Sequence, residues 1–513
     1  MTLPFRSRRR TAQLLRAVCL SPSHFCFRLS GFRFSLVHLW LVSALPLAAL
    51  AAQYHVSPTG KDSAIGTPGE PLSLSRALST ASPARPGDTI WLHSGTYVGP
   101  CTSVLTGQPD VPIIVRQWPG DRATIDCPAT NSAALTLQGA WTWYWGFEVT
   151  SSSTNRTAAR CCGVDVFGPQ IKCINLVVHD AGVGIGCWTP ATDAEIYGCL
   201  IYNNGWQGPG RDRGHGHAIY AQNAQGTKRI RDNILFNQFG KGVHIYTERG
   251  SIQGFDLEGN AAFDNGCLTR ATNHYSNYLI GGFRPADRIT FIQNYAWHTP
   301  GANGRNLELG YHATNGAVLV QSNYLAQGSV AVRWWTNVTF TDNTLPGLDA
   351  AVGLRSFPGA NHYAWDRNHC LGASPRPFDF NGTNLTVAEW QTATGFDLSA
   401  QHSTNPPLPW AIFIRPNLYE TNRANIIIFN WSRAATVPLD LGAVLPKGTA
   451  FELRNSQDFL GPPVLKGRYD GQPIHVPMTG LTSAKPTGFQ SPEPLSCPGF
   501  NVFVLLPVAN ASR

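Results

Sequence analysis

The sequence predicts an all-β fold whose main body is a parallel β-helix solenoid. An asparagine recurs in one local setting, between two short β-rich runs and usually near a glycine. Its spacings of 24, 34, 27, 34, 29, 20 and 25 residues, without a helical hydrophobic pattern, are typical of a solenoid. The recurring positions are Asn175, Cys199 (in the place of Asn), Asn233, Asn260, Asn294, Asn323, Asn343 and Asn368. Because Asn tolerates left-handed backbone and stacked amides can hydrogen-bond, we place it at the tight corner of each coil.

Residues 1–52 are predicted to be a secretory leader. They hold seven Arg, no Lys and no acidic residue, and they end in an apolar run closed by Ala49-Leu50-Ala51. A basic segment, an apolar core and a small-residue exit are typical of a signal peptide, and an uncleaved anchor is the alternative. We therefore expect a secreted, periplasmic or extracellular protein with no stable membrane span after leader cleavage.

Loss of the leader changes the interpretation of charge. It lowers the formal net charge from +8 to +1, because the seven arginines leave with it. No basic stripe remains, so nucleic acid is excluded as a partner. We expect the mature protein to be a monomer.

The cysteines predict disulfides or buried free thiols rather than a metal site. Ten of the twelve cysteines lie beyond the leader, and an export route permits their oxidation. No spacing typical of zinc ligands occurs, so no metal ligands are assigned. The candidate pairs are Cys101 with Cys127, and pairs among Cys161, Cys162, Cys173, Cys187 and Cys199.

The start of the mature chain carries a recognisable entry segment. A first strand with a Gly/Pro turn spans Val56 to Gly66, an amphipathic stretch covers Leu72–Thr80, and Pro86-Gly87-Asp88-Thr89 leads to Gly95-Thr96-Tyr97. This segment resembles that of secreted right-handed parallel β-helix proteins of the pectate-lyase-like superfamily. The resemblance covers roughly residues 54–380 and implies a right-handed β-helix over residues 53–384 with a short N-terminal capping helix. It is specific for fold and not for activity, because one fold hosts many chemistries.

The pattern changes after residue 384. Residues 385–425 are rich in Pro and Thr and are predicted to be an irregular linker. Residues 426–513 show short alternating strands separated by turn residues and end in the strand-like NVFVLLP. They predict a small C-terminal antiparallel β-sandwich.

One face of the solenoid is predicted to carry the function. The strands that follow the repeated Asn can be aligned coil by coil, and their alternation assigns an inward and an outward set. The inward set is aliphatic and consists of Ile219, Val243, Ile245, Ile280, Leu307, Leu309, Val330, Val332, Val352 and Leu354. The outward set contains Tyr220, Gln222, His244, Tyr246, Glu248, Glu308, His312, Arg333 and Arg355.

The outward set favours a groove for an acidic or polar sugar chain. Arg pairs with carboxylates, and Tyr and Trp stack on sugar faces. His215 and His217 are expected to shape the groove edge, and Lys241 and Arg249 flank the His244 strand. Loop residues expected above the same face are Arg211, Arg213, His274, Tyr275, Arg284 and Trp334. The alternative is a purely structural ladder of cross-coil pairs, such as His244 with Glu308.

The leading hypothesis is a polysaccharide lyase that acts by β-elimination on a uronic-acid-containing glycan. Arg333 or Arg355 would neutralise the C5 carboxylate, His244 or Tyr246 would take the C5 proton, and Tyr220 would protonate the leaving oxygen. The superfamily resemblance implies that such chemistry runs with or without Ca²⁺, so that cofactor stays open. The substrate-binding candidates are Arg355, His312, His215, His217, Arg284, Glu248 and Trp334.

Two alternatives remain. A β-helix glycoside hydrolase needs two carboxylates, and Glu248 and Glu308 lie two coils apart, about 10 Å at the usual strand spacing. The third hypothesis is a non-catalytic glycan-binding or surface structural protein.

Overall fold

Three ladders of parallel strands wind around one apolar core in the computed structural model. The residues that it describes are 51–128, 132–209, 214–269, 276–347, 351–355, 362–372, 374–403, 405, 409–489 and 495–508. The predicted leader, apart from its last two residues, lies outside them, as do Arg211, Arg213, His274 and Tyr275. Across these ranges, no helix has the length and apolar character that a membrane crossing requires.

Each coil passes in turn through three sheets, named here sheets I, II and III. Sheet I contains the strands Gln53–Lys61, Thr89–Leu92, Ile113–Gln117, Thr142–Trp145, Lys172–Ile174, Glu195–Tyr197, Lys228–Arg231, Ile252–Glu258, Ala286–Ile292, Asn315–Gln321, Trp335–Thr341 and Tyr363–Asp366. Sheet II contains Gly95–Val98, Ala123–Asp126, Glu148–Thr150, Val177–His179, Leu200–Tyr202, Ile234–Phe236, Ala261–Phe263, Tyr295–Trp297, Tyr324–Ala326, Thr344–Pro346, His369–Leu371 and Gln401–Ser403.

Sheet III carries the face on which the candidate site lies. Its strands are Cys101–Ser103, Ala133–Leu137, Cys162–Val166, Ile185–Cys187, Ile219–Ala221, Val243–Ile245, Ser276–Ile280, Arg305–Leu309, Ser329–Arg333, Val352–Arg355, Phe378–Phe380 and Thr383–Leu385. The last of these pairs antiparallel with its neighbour and ends the ladder. A short antiparallel pair, Trp206–Gln207 with Gly214–His215, lies in the loop before strand Ile219–Ala221.

The predicted register of sheet III is confirmed. One row of paired residues runs across five successive strands of this sheet. Its members are Val243, Tyr278, Leu307, Val330 and Val352. Every residue of the predicted inward set is at most 3% exposed. Because side chains alternate along a strand, the intervening residues must share the outer face.

A ladder of asparagine side chains fixes the corner between sheets I and II. The side-chain amide of each Asn donates to the Oδ1 of the Asn in the next coil. The backbone N–H of the same donor Asn also donates to that Oδ1. The side-chain N–O distances along the ladder Asn233, Asn260, Asn294, Asn323, Asn343 and Asn368 are 2.9, 2.9, 3.2, 2.8 and 3.0 Å. All six residues are buried, so the predicted stacking of amides is confirmed.

The ladder differs from the prediction in which residue adopts left-handed backbone. The residue before each Asn does so, for example Asp232 with φ 54° and Gln293 with φ 53°. Asn175, with φ 52°, is such a turn residue and is not a member of the ladder. In its coil the position directly before the sheet II strand, which Asn occupies in later coils, is held by Leu176. The prediction was wrong here because one residue must turn the chain while the next directs its amide inward.

Both ends of the coil are capped. Helix α1, Leu74–Leu78, begins after Ser73, whose hydroxyl accepts the Arg76 backbone N–H. Helix α2, Val387–Thr394, begins with a capping box of Thr386 and Glu389. The irregular linker predicted for residues 385–425 is therefore corrected: it contains α2 and the strands Gln401–Ser403 and Ala411–Pro416.

The C-terminal module has two antiparallel sheets and a 3₁₀ turn at Ser456–Asp458. Its five-stranded sheet has the order Ala411–Pro416, Ala424–Phe429, Phe500–Pro507, Ala450–Asn455 and Leu465–Arg468, and its pair is Thr436–Leu439 with Ile474–Pro477. Ile426, Val476 and Phe503 belong to the apolar core between these sheets. The opposite face packs on sheet II, where Phe500 stacks on Trp297 at 5.5 Å.

One disulfide joins neighbouring coils. Cys127 pairs with Cys161, so the expected pairing of Cys101 with Cys127 is wrong. Cys173, Cys187 and Cys199 are buried free thiols in the coil core.

Replacing Asn294 by Leu should destabilise the fold by about 2–5 kcal/mol, because the Asn260 backbone N–H and amide both lose their acceptor inside the coil. Chemical unfolding followed by circular dichroism measures this loss. The exposed Asn337→Ala is the matched control and should change the free energy of unfolding by less than about 0.5 kcal/mol. An Asn294 variant as stable as that control would contradict the role of the ladder.

Candidate functional site

Two adjacent grooves lie on the outer face of sheet III. The first encloses about 480 Å³ and the second about 490 Å³, and Arg305 lines both. The first groove is lined by His217, Tyr220, Lys241, His244, Tyr246, Glu248, Ser276, Leu279, Arg305, Glu308 and Tyr311. The second groove is lined by Arg305, Ser329, Val330, Ala331, Arg333, Trp334, Ala351, Gly353, Arg355 and Asp379.

The strand register explains how these side chains meet. Tyr220, His244, Leu279 and Glu308 occupy matching positions on four successive coils. Ala331 and then Gly353 continue the same row. Because the side chains shrink along the row, the floor becomes lower beside Arg333 and Arg355, which pair in register two residues later. The sequence therefore builds a polar first groove and a basic second groove on one face.

A buried carboxylate organises the basic side chains. Glu308 is 3% exposed, and its Oε1 accepts from Arg305 Nη1 and Arg333 Nη1, each at 2.9 Å. Its Oε2 accepts from the Ser276 hydroxyl at 3.1 Å. Burial acts to raise the pKa of Glu308, but the charges of Arg305, Arg333 and Lys241 outweigh it, so the pKa lies below its usual value. Glu308 is consequently an ionised anchor for two guanidinium groups.

Two imidazoles form a hydrogen-bonded pair in the first groove. The Lys241 backbone N–H donates to His217 Nδ1 at 2.9 Å, and His217 Nε2 lies 3.0 Å from His244 Nδ1. The rings meet edge to face with centroids 4.3 Å apart. His244 also stacks on Tyr246 at 4.8 Å. His244 was expected to be exposed, but it is 7% exposed because these rings and the groove wall cover it.

Tyrosines supply the other titratable groups. Burial raises the pKa of Tyr220, the Glu248 charge adds to this effect, and the hydrogen bond from Gln222 opposes it. Tyr220 is therefore a protonated phenol at neutral pH. Beyond Tyr246, the rings of Phe283, Tyr311 and His312 form an exposed aromatic shelf, with Phe283 stacked on His312 at 4.2 Å.

The remaining sequence-predicted residues divide between the grooves and their surroundings. Trp334 and Arg355 line the second groove, and Arg355 Nη2 donates to Asp379 at 2.7 Å. His215 stacks on Trp206 at 5.1 Å in the loop pair, and Arg284 is exposed. His215, Arg284 and His312 do not appear among the described residues that line either groove.

Sequence reasoning missed Arg305, Ser276 and Tyr311, and it noted Lys241 only as a flanking residue. Arg305 shares its parity with the inward Leu307, so simple alternation assigns it to the core. A register shift between these two residues turns Arg305 to the outside. The sequence signal that could have identified Lys241 is the glycine on either side of it. A Cβ added at Gly240 would lie 2.0 Å from a backbone oxygen, and one added at Gly242 would lie 2.4 Å from another, so both positions require Gly.

Calcium does not fit the described groove residues. Ca²⁺ takes about six to eight oxygen ligands, drawn from carboxylates, carbonyl groups and water. Here Glu308 and Asp379 already pair with guanidinium groups. Among the described residues, no group of three or more His, Cys, Asp or Glu side chains is placed to hold a metal ion.

Comparison with known proteins gives one family match and several distant relatives. Residues 54–294 match the family model described as "Pel9A-like, right handed beta helix region". The pectate lyase PEL9 of Emericella nidulans is 37% identical over 91 residues, which are 17% of this chain and 22% of that protein. The crystal structure of pectate lyase Pel9A has a TM-score of 0.44 and 17% identity, covering 62% of this chain and 79% of the other. A rhamnogalacturonan lyase has a TM-score of 0.44 and 14% identity, covering 69% and 87%.

The strand ladders and the family match define a right-handed parallel β-helix protein. Over residues 54–294 the chain is, more particularly, similar to Pel9A-like β-helix proteins. Its alignment spans about a fifth of the curated lyase, so the activity of that lyase is not transferred here.

Replacing Glu308 by Gln should lower stability at pH 7 by about 1–3 kcal/mol, because Arg305 and Arg333 lose a charged acceptor. Because folding lowers the pKa of Glu308, its carboxylate stabilises the fold fully at pH values above 4.5, the pKa in the unfolded chain. This stabilisation is lost as the pH falls through the lower pKa of the folded state. Denaturation from pH 7 down to about pH 3 should therefore show the gap between wild type and Glu308→Gln closing. Glu248→Gln, at the exposed rim, is the control, and an equal effect of both changes would contradict this role.

Proposed function

We propose that the protein is a secreted carbohydrate-active enzyme that cleaves a uronic-acid-containing polysaccharide by β-elimination. The observation that carries this proposal is the group of cations, Lys241, Arg305 and Arg333, held around the single buried carboxylate of Glu308. The cations outnumber that carboxylate, so the groups at the groove floor carry net positive charge. Such a site suits a ligand that brings its own carboxylate.

Arg305 and Arg333 would hold the substrate carboxylate. Each uses one Nη1 on Glu308, and a guanidinium has five N–H donors, so donors remain for a second carboxylate. Binding the C5 carboxylate withdraws charge from C5 and makes its proton more acidic. Arg355, paired with Asp379, extends the basic surface toward the neighbouring sugar.

The elimination then needs a base and an acid. The base takes the C5 proton, the electron pair forms the C4–C5 double bond, and the C4–O bond breaks. Tyr220 would donate its phenolic proton to the leaving oxygen, a role consistent with its raised pKa. Tyr246 is the side chain in this groove that we assign as the candidate base.

The hydrolase is the second candidate. It requires one carboxylic acid that gives a proton to the leaving oxygen. Glu308 fits that task poorly, because its pKa is lowered and both its oxygens accept hydrogen bonds. Among the described residues of the first groove, Glu248 at the rim is then the remaining carboxylate, which favours the lyase. A non-catalytic glycan-binding protein is the third candidate.

The test is incubation of the secreted protein with pectic, alginate-type and glucuronic-acid polymers. A lyase produces both new reducing ends and the ultraviolet absorbance of an unsaturated uronate, whereas a hydrolase produces reducing ends alone. Retention on a glycan gel without either signal would favour the binding protein.

Arg333→Ala should lower kcat/KM about 100-fold or more on the responsive polymer, because one donor to the developing negative charge is lost. Arg333→Lys should recover part of the lost kcat/KM, because it restores the positive charge without the planar, bidentate geometry of a guanidinium. Arg468→Ala on the C-terminal module is the control and should retain wild-type activity. Unchanged activity in Arg333→Ala, with the fold intact, would remove the proposed role of this guanidinium.

A further inference from the structure

The imidazole pair in the first groove has a directionality that determines what His244 can do. A backbone N–H can only donate, so the Lys241 amide requires an unprotonated Nδ1 on His217. A neutral His217 then carries its proton on Nε2 and donates it to His244 Nδ1. A neutral His244 in turn carries its proton on Nε2. One fixed backbone donor thus sets the tautomer of both rings.

The same chain resists protonation of either ring. A second proton on His217 would have to occupy Nδ1, directly against the Lys241 N–H at 2.9 Å. A second proton on His244 would have to occupy Nδ1, against the His217 Nε2–H at 3.0 Å. Each event breaks a hydrogen bond and places two donors face to face, and His244, at 7% exposure, has little access to water that could compensate the loss.

The local backbone is built around this pair. A Cβ on residue 240 would lie 2.7 Å from His217 Nδ1 and 2.0 Å from the Gly216 carbonyl oxygen. Gly240 therefore leaves room for the His217 ring to reach the next amide. Gly216, with φ 90°, turns the chain immediately before His217.

The charged and titratable surroundings act in both directions. Lys241 on the same coil and Arg305 two coils away oppose a positive charge on His244, whereas Glu248 and Glu308 favour one. Tyr220 and Tyr246 lie against the ring at 5.3 and 4.8 Å. Because both signs of charge face the groove, the hydrogen-bond direction is the feature that distinguishes the two protonation states.

We propose that His217 is a positioning residue that holds His244 neutral, with its proton on Nε2, as a hydrogen-bond donor for an anionic oxygen of the glycan. The ligand half of this proposal rests on the proposed function. The tautomer half concerns the protein alone. His244 accordingly differs from the base that the sequence suggested: its acceptor nitrogen, Nδ1, is taken by His217.

A neutral donor offers a property that an imidazolium lacks. Its contribution to binding an anion stays constant between about pH 8 and about pH 5.5, a range in which a free imidazole changes charge near pH 6.5. It also leaves the positive charge of the groove to Arg305 and Arg333, whose guanidinium groups do not titrate in this range.

The test uses the full chain labelled with ¹⁵N-histidine and long-range ¹H–¹⁵N correlation spectra. His217→Phe and His244→Phe identify the two rings among the 15 histidines. In the wild type, both rings should show the Nε2–H tautomer and remain neutral down to about pH 5.5. In His217→Phe, which keeps a ring but no donor, His244 should become protonated as the pH falls. His475→Phe, exposed on the C-terminal module, should leave both signals unchanged.

Binding of a short galacturonic-acid oligomer, measured by calorimetry, gives the second readout. Wild-type affinity should vary less than about twofold across this pH range, whereas His217→Phe should gain about tenfold as His244 becomes charged. An Nδ1–H tautomer in the wild type, or the same His244 titration in wild type and His217→Phe, would overturn the proposal. If the spectra behave as expected and the oligomer binds no variant, the proposed glycan function fails while the positioning role of His217 stands.

Discussion

The asparagine ladder is the interaction on which the rest of the structure depends. Its members run in one direction, and from Asn260 onward each Oδ1 accepts two N–H groups from the preceding coil. The ladder ends when the Asn368 amide donates to Asp397 at 2.9 Å. The other oxygen of Asp397 accepts the indole N–H groups of Trp365 and Trp390 at 3.0 and 3.1 Å. The segment after residue 384 thus closes the coil by completing its hydrogen bonds.

A fixed corner has consequences on the far side of the coil. Because the ladder allows one register at the turn between sheets I and II, the strands of sheet III also stack without slippage. Residues as distant in sequence as His217 and Arg333 then share one groove system. The variable loops between the sheets add their side chains without disturbing the stack, which is why the spacing of the repeats can differ by more than ten residues.

The parts of the fold that sequence reasoning predicted are those set by short-range periodicity. Alternation assigned Val243, Ile245, Leu307 and Leu309 to the core, and a recurring residue identified the coil. What it could not supply depended on local exceptions to that periodicity. A register shift turns the Arg305 side chain from the core to the outer face. Asn175 serves as the turn residue of its coil, so the ladder position there falls on Leu176. Packing of neighbouring rings buries His244. Helix α2 was missed because its stability comes from Trp390 in the core and a capping box, not from a long amphipathic pattern.

The two halves of the site hold their charge in different ways. Arg305 and Arg333 are kept in place by a carboxylate that remains ionised because they surround it, so each charge stabilises the other. His217 and His244 are kept uncharged by a chain of donors that begins at a backbone amide, which cannot titrate. A groove built this way presents the same pattern of positive charge and neutral donors over a wide range of pH. A fixed pattern of this kind favours a ligand whose carboxylates remain ionised over the same range, as those of uronic acids do.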